Sequence, residues 1–225
     1  MTHDEKQLTM FDIEEAPGRP MLHWLGKRPL RAVKYYEAQL KEQYGEPAED
    51  GWVNRLYWGD NLQVMSHLMK EFRGKIKLIY IDPPFDSKAD YRKRIKLKGR
   101  QLEGDISVIE EKQYTDIWAN DLYLQFMYER LQLMRELLAE DGLIFVHMDE
   151  TRGHYMKIIL DEIFGQAGYI NEVIWKRQTA HSDTGQGAKH LGRLHDSIFI
   201  YCKGTGYSWN EIYTPYSDEY IENFY

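Results

Sequence analysis

Asp82-Pro83-Pro84-Phe85 is the stretch whose residue types are best placed to do chemistry. It directly follows Ile-Lys-Leu-Ile-Tyr-Ile at 76–81, a β-prone apolar run suited to a buried strand. A carboxylate followed by two prolines makes a rigid corner that only accepts hydrogen bonds. Neither proline has an N–H, while the carbonyls of Asp82 and Pro83 stay free to accept. Phe85 adds a ring face. One carboxylate oxygen, one carbonyl oxygen and one aromatic plane together suit a planar group with an exocyclic amino group, such as an adenine or cytosine edge. The same residues also fit an ordinary turn after a strand, with Phe85 in the core.

Two further loops end on polar groups. Gly59-Asp60-Asn61 follows 55–58, which reads as a short strand, and Asp60 or Asn61 caps a helix carrying Leu62, Met65, Leu68, Met69 and Phe72 on one face. His147-Met148-Asp149-Glu150 follows a strand at 143–147, and its acidic residues suit the start of a helix over 153–163. Arg92, Lys93, Arg94, Lys96, Lys98 and Arg100 crowd into nine residues just beyond the Asp-Pro-Pro-Phe corner. That run is either a solvated loop or a contact for phosphate. His181, His190 and His195 are too widely spaced to suggest a metal site, and His195-Asp196 reads as edge polarity before a last strand.

The elements that must position these groups alternate. A helix is expected over 30–44, then the strand at 55–58, the capped helix, the strand at 76–81 and a long loop over 86–117. An amphipathic helix over 119–139 follows, with Leu122, Phe126, Leu133, Met134, Leu137 and Leu138, ended by Asp141-Gly142. Strands at 170–175 and 197–201 close the series without a helix between them, so they are expected to pair antiparallel at one edge. Helices alternating with short buried strands predict an α/β fold with a largely parallel sheet, whose ligands sit at the carboxyl ends of the strands.

Composition limits the class. The 225 residues are 43% hydrophobic and 29% charged, with a mean hydropathy of −0.63, which suits one sizeable core. No apolar run nears the ~20 residues that span a bilayer, and the polar start is wrong for a signal peptide, so a soluble cytoplasmic protein is expected. The single cysteine, Cys202, rules out an internal disulfide and a multi-cysteine zinc site. A formal net charge of −7 argues against a broad basic face, though not against one basic segment meeting phosphate.

Several ordered motifs carry a resemblance. Asn54-Arg-Leu-Tyr-Trp-Gly-Asp-Asn-Leu and Leu78-Ile-Tyr-Ile-Asp-Pro-Pro-Phe are similar to the amino-methyltransferases of DNA, within them the adenine-specific, type III restriction-modification-like group. The similarity continues through Tyr128-Glu-Arg-Leu-Gln-Leu-Met, Gly142-Leu-Ile-Phe-Val-His-Met-Asp-Glu, Leu160-Asp-Glu-Ile-Phe-Gly and Asn171-Glu-Val-Ile-Trp. It covers roughly residues 20–205.

The resemblance implies a Rossmann-like sheet with flanking helices and S-adenosylmethionine as cofactor. Asp82, Pro83, Pro84 and Phe85 match the catalytic motif, with Asp82 also near the cofactor and Phe85 stacking on a base flipped out of the duplex. Asp rather than Ser at position 82 favours adenine N6 over cytosine N4. Asp60 stands where the family accepts a hydrogen bond from the cofactor's adenine amino group. Trp175 stands where the family has an aromatic near the target base, though a core tryptophan fits as well. Double-stranded DNA is the implied partner, with a restriction subunit or a second methyltransferase polypeptide as further candidates. A non-catalytic DNA-binding partner is the alternative of another class.

The family's Phe-x-Gly-x-Gly cofactor turn has one candidate, Gly204-Thr205-Gly206, with Cys202 at the phenylalanine position. A hairpin-type turn suits it better. The expected organisation is a flexible N-terminus over 1–20, a partial catalytic domain over 21–205, and the start of a downstream region over 206–225. On the resemblance, the chain looks like the N-terminal portion of a longer enzyme.

Overall fold

A computed structural model describes residues 10–16, 21–84, 121–177 and 192–211, together with 213 and 215. Its elements are β1 (Met10–Asp12), β2 (Ala32–Lys34), α1 (Asn61–Phe72), β3 (Ile76–Ile81), α2 (Asp121–Leu137), β4 (Leu138–Met148), α3 (Gly153–Phe164), β5 (Tyr169–Lys176) and β6 (His195–Cys202). β3 to β6 form a four-stranded sheet in the order β3-β4-β6-β5. Its central strands fall where the hydrophobic runs place them, and β5 and β6 pair antiparallel with β5 at the edge, as expected.

The sheet is not largely parallel. Only β3 and β4 run parallel, because β6 enters between β4 and β5 antiparallel to both. On one face Ile79, Ile81, Ile144, Val146, Met148, Phe199 and Tyr201 align across β3, β4 and β6. Most of these are fully buried in one core with Met65 and Met69 of α1, Leu131 and Leu133 of α2, and Met156, Ile159, Leu160 and Ile163 of α3. Tight crossing of β3 and β4 depends on Gly142, where a Cβ would lie 2.7 Å from the Ile76 carbonyl oxygen.

Three local expectations fail. The helix over 30–44 is absent: Ala32–Lys34 is β2, paired with β1, and 35–44 has no regular structure. Its backbone is held by side chains of α1 instead, with Tyr36 N donating to Ser66 Oγ at 3.2 Å and Ala38 N to His67 Nδ1 at 3.1 Å. Leu40, needed on the apolar face of such a helix, is 81% exposed. Residues 55–58 have no strand partner among the described residues; Arg55 pairs with Glu71 and Tyr57 packs on His67, while Leu56 and Trp58 are exposed. Within the stretch expected to be flexible, Met10–Asp12 form β1, and Phe11, Ile13 and Ala16 pack against the core.

α2 is buried on nearly every side rather than along one stripe, although Leu122 is exposed. The chain before α1 lies over its outer side and satisfies its polar groups. Gln125 exchanges hydrogen bonds with the backbone N–H and carbonyl of Arg28, and Gln132 accepts from Leu30 N. Glu136 accepts from Glu14 N and pairs with Arg73 at 2.6 Å. Buried polar side chains thus supply the hydrogen bonds that a neighbouring strand would otherwise make.

Candidate active site

The carboxyl end of β3 opens directly into the acceptor corner. Asp82 and Pro84 are exposed and Pro83 is half-buried. They border a cleft of about 290 Å³ together with Tyr80 and Ile81 of β3, Asn61 at the start of α1, and Phe126, Met127, Arg130 and Met134 of α2. Asp82 makes no hydrogen bond among the described residues. The corner is therefore an acceptor pair facing a cleft with a largely apolar wall. Phe85 and the basic run Arg92, Lys93, Arg94, Lys96, Lys98 and Arg100 lie outside the described residues.

Asp60 is the N-cap of α1, as its position predicts. Its Oδ1 accepts from Leu62 N at 3.0 Å and Gln63 N at 3.2 Å. Oδ2 accepts from Arg130 Nη2 at 2.9 Å. Arg130 also donates through Nε to Asn61 Oδ1 and through Nη1 to the Phe126 carbonyl, and its guanidinium lies 3.3 Å from the Phe126 ring centroid. The arginine is 7% exposed against 47% for Asp60, so a buried cation is balanced by an exposed carboxylate. Sequence reasoning passed over Arg130 as one residue of the Tyr128–Met134 motif. Its charge in the middle of an apolar helix was the available signal.

A second cluster joins β3 to the rest of the sheet. Tyr80 Oη lies 2.8 Å from His147 Nδ1, His147 Nε2 lies 3.2 Å from Asp196 Oδ2, and Arg177 Nη1 lies 3.2 Å from Asp196 Oδ1. Asp196 is buried, which corrects its reading as edge polarity. Nothing in the sequence marks the group, because its members are brought together only by strand pairing. The acidic residues beside His147 do structural work: Asp149 accepts from Thr151 N and Oγ1 in a turn before α3, and Glu150 pairs with Arg193 at 2.8 Å.

Trp175 is 56% exposed, so it is not a core residue. It lies on β5, at the opposite edge of the sheet from β3, three strand spacings or about 14 Å across. The described structure does not bring it to the cleft. Gly204 packs against β4, where a Cβ would stand 2.7 Å from the Glu140 carbonyl oxygen and where its own N–H donates to that oxygen at 2.8 Å. No group of His, Cys, Asp and Glu among the described residues is placed to hold a metal ion, and no described helix is long and apolar enough to cross a membrane.

An α/β sheet with a Asp-Pro-Pro corner at the end of a strand defines a class, and comparison with known proteins gives the family. The family model described as DNA methylase matches residues 76–225, and the chain belongs to that family. The Mod subunit of the type III restriction-modification enzyme EcoP15I from Escherichia coli is 30% identical over 207 residues, which cover 85% of this chain and 31% of that protein. The StyLTI Mod subunit from Salmonella typhimurium is 32% identical over 180 residues, covering 76% of this chain and 27% of that one. The type II methyltransferase M.EcaI from Enterobacter cloacae is 34% identical over 157 residues, covering 70% and 31%. The chain thus spans about a third of the length of these curated relatives or slightly less.

Proposed function

We propose that this chain carries the methyl-acceptor corner of a DNA methyltransferase acting on N6 of adenine, with S-adenosylmethionine as methyl donor. The observation that carries the reading is Asp82: an exposed carboxylate with no described hydrogen bond, beside the acceptor carbonyl of Pro83, at the mouth of a cleft. The lone pair of an exocyclic amino nitrogen is delocalised into its ring, so the nitrogen is a poor nucleophile. Hydrogen bonds from its two N–H groups to Asp82 and to the Pro83 carbonyl favour the pyramidal form, in which the lone pair is localised. A base stacked in a duplex cannot reach this corner, so the target must be flipped out. Asp at position 82 fits adenine through the resemblance to the adenine-specific group, and the family's description as DNA methylase agrees with a DNA substrate.

The residues present fit the methyl donor. Asp60 uses three of its roughly four lone-pair sites on α1 and Arg130, which leaves one for an adenine amino group. Phe126, Met127 and Met134 offer an apolar wall in the cleft that Arg130, the partner of Asp60, also lines. When bound, the cofactor supplies a methyl group on a sulfonium. Asp60 holds an amino donor, Arg130 fixes the carboxylate's orientation, and Asp82 and Pro83 orient the target. The basic run at 92–100 then serves DNA phosphate, and a restriction subunit is the partner expected from the relatives' names.

Replacing Asp82 by Ala tests the reading. Loss of one preorganised acceptor lowers the rate of methyl transfer by ~10²–10³ or more. Thermal unfolding should barely change, because the side chain is exposed and makes no described contact. Transfer of labelled methyl groups to DNA, followed by base analysis, gives both rate and product. Near-normal turnover by Asp82→Ala overturns the mechanism, and N4-methylcytosine as product overturns the adenine assignment.

A further inference from the structure

Asn61 meets the cleft with its side chain already oriented. It is the first residue of α1, and the Asp60 cap holds its backbone: Asp60 Oδ1 accepts from Leu62 N and Gln63 N, and the Asp60 carbonyl accepts from Val64 N at 2.9 Å. The side-chain oxygen of Asn61 accepts from Arg130 Nε. A guanidinium only donates, so the amide has one permitted orientation, with Oδ1 on Arg130 and Nδ2 turned away from it. Arg130 is fixed in turn, because Nη2 donates to Asp60 Oδ2 and Nη1 to the Phe126 carbonyl. Nδ2 makes no hydrogen bond among the described residues, and Asn61 is exposed and borders the cleft.

That nitrogen supplies what the Asp82 corner lacks. Asp82 and the Pro83 carbonyl only accept, and Ile81, Phe126, Met127 and Met134 give the same cleft an apolar wall. In adenine the carbon bearing the amino group adjoins N1, a ring nitrogen whose in-plane lone pair accepts. Such an edge calls for an acceptor and a donor side by side, and flipped bases are read through hydrogen bonds to that edge. Cytosine offers the same pair through N4 and N3. Guanine and thymine offer the reverse, an oxygen in place of the amino group and an N–H at the ring position. Either would set oxygen against Asp82 and a donor against Nδ2.

We infer that Asn61 is a specificity-determining residue whose Nδ2 donates to the ring nitrogen beside the target amino group, with Arg130 as the positioning residue that fixes which end of the amide faces the base. The inference rests on reading the cleft as the site of an exocyclic amino group. It uses an atom that the corner leaves over: both amino hydrogens stay with Asp82 and the Pro83 carbonyl, and the ring nitrogen gains a donor of its own.

The test uses the full 225-residue chain labelled with a heavy nitrogen isotope, since asparagine side-chain amides give their own signals in nuclear magnetic resonance. The Asn61 signal is assigned by its loss in Asn61→Asp. That variant keeps an oxygen on Arg130 and replaces the donor by an acceptor. The probes are 2′-deoxyadenosine and 1-deaza-2′-deoxyadenosine, which has C–H in place of N1 and keeps the amino group. 2′-Deoxyadenosine should move the Asn61 side-chain signal together with the backbone amides around Asp82. The deaza probe should move the Asp82 region without the Asn61 amide and bind roughly three- to tenfold more weakly, the loss of one hydrogen bond. In Asn61→Asp the preference should vanish or reverse, because N1 then meets a carboxylate. Equal binding of the two probes by the unsubstituted chain overturns the inference, as does a preference that survives in Asn61→Asp. Movement around Asp82 that leaves the Asn61 amide still also overturns it, but spares the amino-group reading. No response to 2′-deoxyadenosine anywhere near Asp82 overturns both.

Discussion

Replacing Glu162 by Gln should be among the most damaging single changes that keep side-chain shape. Lys27 Nζ lies 2.7 Å from both carboxylate oxygens of Glu162 and donates to the Leu22 carbonyl at 2.6 Å. It also stands 4.7 Å from the Trp24 ring and 4.9 Å from the Tyr128 ring, while the Tyr128 hydroxyl donates to Glu162 at 2.9 Å. The two side chains are 8% and 1% exposed, so the pair sits almost wholly out of water. Gln keeps an acceptor for Tyr128 but leaves the ammonium buried without its counter-charge. Breaking such a pair from one side costs about 3–5 kcal/mol. The remaining carbonyl and ring faces hold part of the cation, at up to ~2 kcal/mol for a desolvated ring, which puts the loss near ~3 kcal/mol. For a chain of this length the melting temperature should fall by roughly 6–12 °C. Urea denaturation gives the free energy. Lys27→Met combined with Glu162→Gln should lose clearly less than the two single changes added together, because it removes the stranded charge. A Glu162→Gln protein within about 0.5 kcal/mol of the unsubstituted one, or strict additivity in the double variant, would refute the argument.

Gly142→Ala should cost about 1–3 kcal/mol in urea denaturation, since its Cβ meets backbone oxygens of Ile76 at 2.7 Å and Ala139 at 3.0 Å; unchanged stability would show that β3 and β4 can separate freely. Lys77, at 2.6 Å, holds the Asp141 carboxyl below its ordinary value of 3.8. The contribution of that pair is therefore complete at neutral pH and is lost as the pH falls through the lowered value, so Asp141→Asn should unfold earlier than the unsubstituted chain at neutral pH and identically in strong acid. A deficit that persists in acid refutes the linkage. Neutralising Arg92, Arg94 and Lys96 together should weaken DNA binding alike on all sequences and flatten its salt dependence by roughly one unit of log–log slope per lost phosphate contact; an unchanged slope makes the segment a solvated loop.

Much of the central sheet was legible from residue order alone. Ile76–Ile81, the middle of β4 and β6 are short apolar runs, and burial on a sheet demands that composition whatever the rest of the chain does. The cap at Asp60 and the corner at Asp82–Pro84 were legible for the same reason, since backbone chemistry over three or four residues determines both. Long-range competition decided the rest. Residues 30–44 have helical spacing, yet strand pairing with β1 and the side chains of α1 claim backbone groups between 32 and 38, and Leu40 lies in water. The antiparallel entry of β6 beside β4 was invisible too, because an apolar run carries no sign of which neighbour it will meet. Asp196 shows the limit most clearly. It precedes a strand like any edge polar residue, but pairing across four strands buries it, joins it to Arg177 and His147, and through them orients Tyr80 beside the corner that the sequence alone had marked.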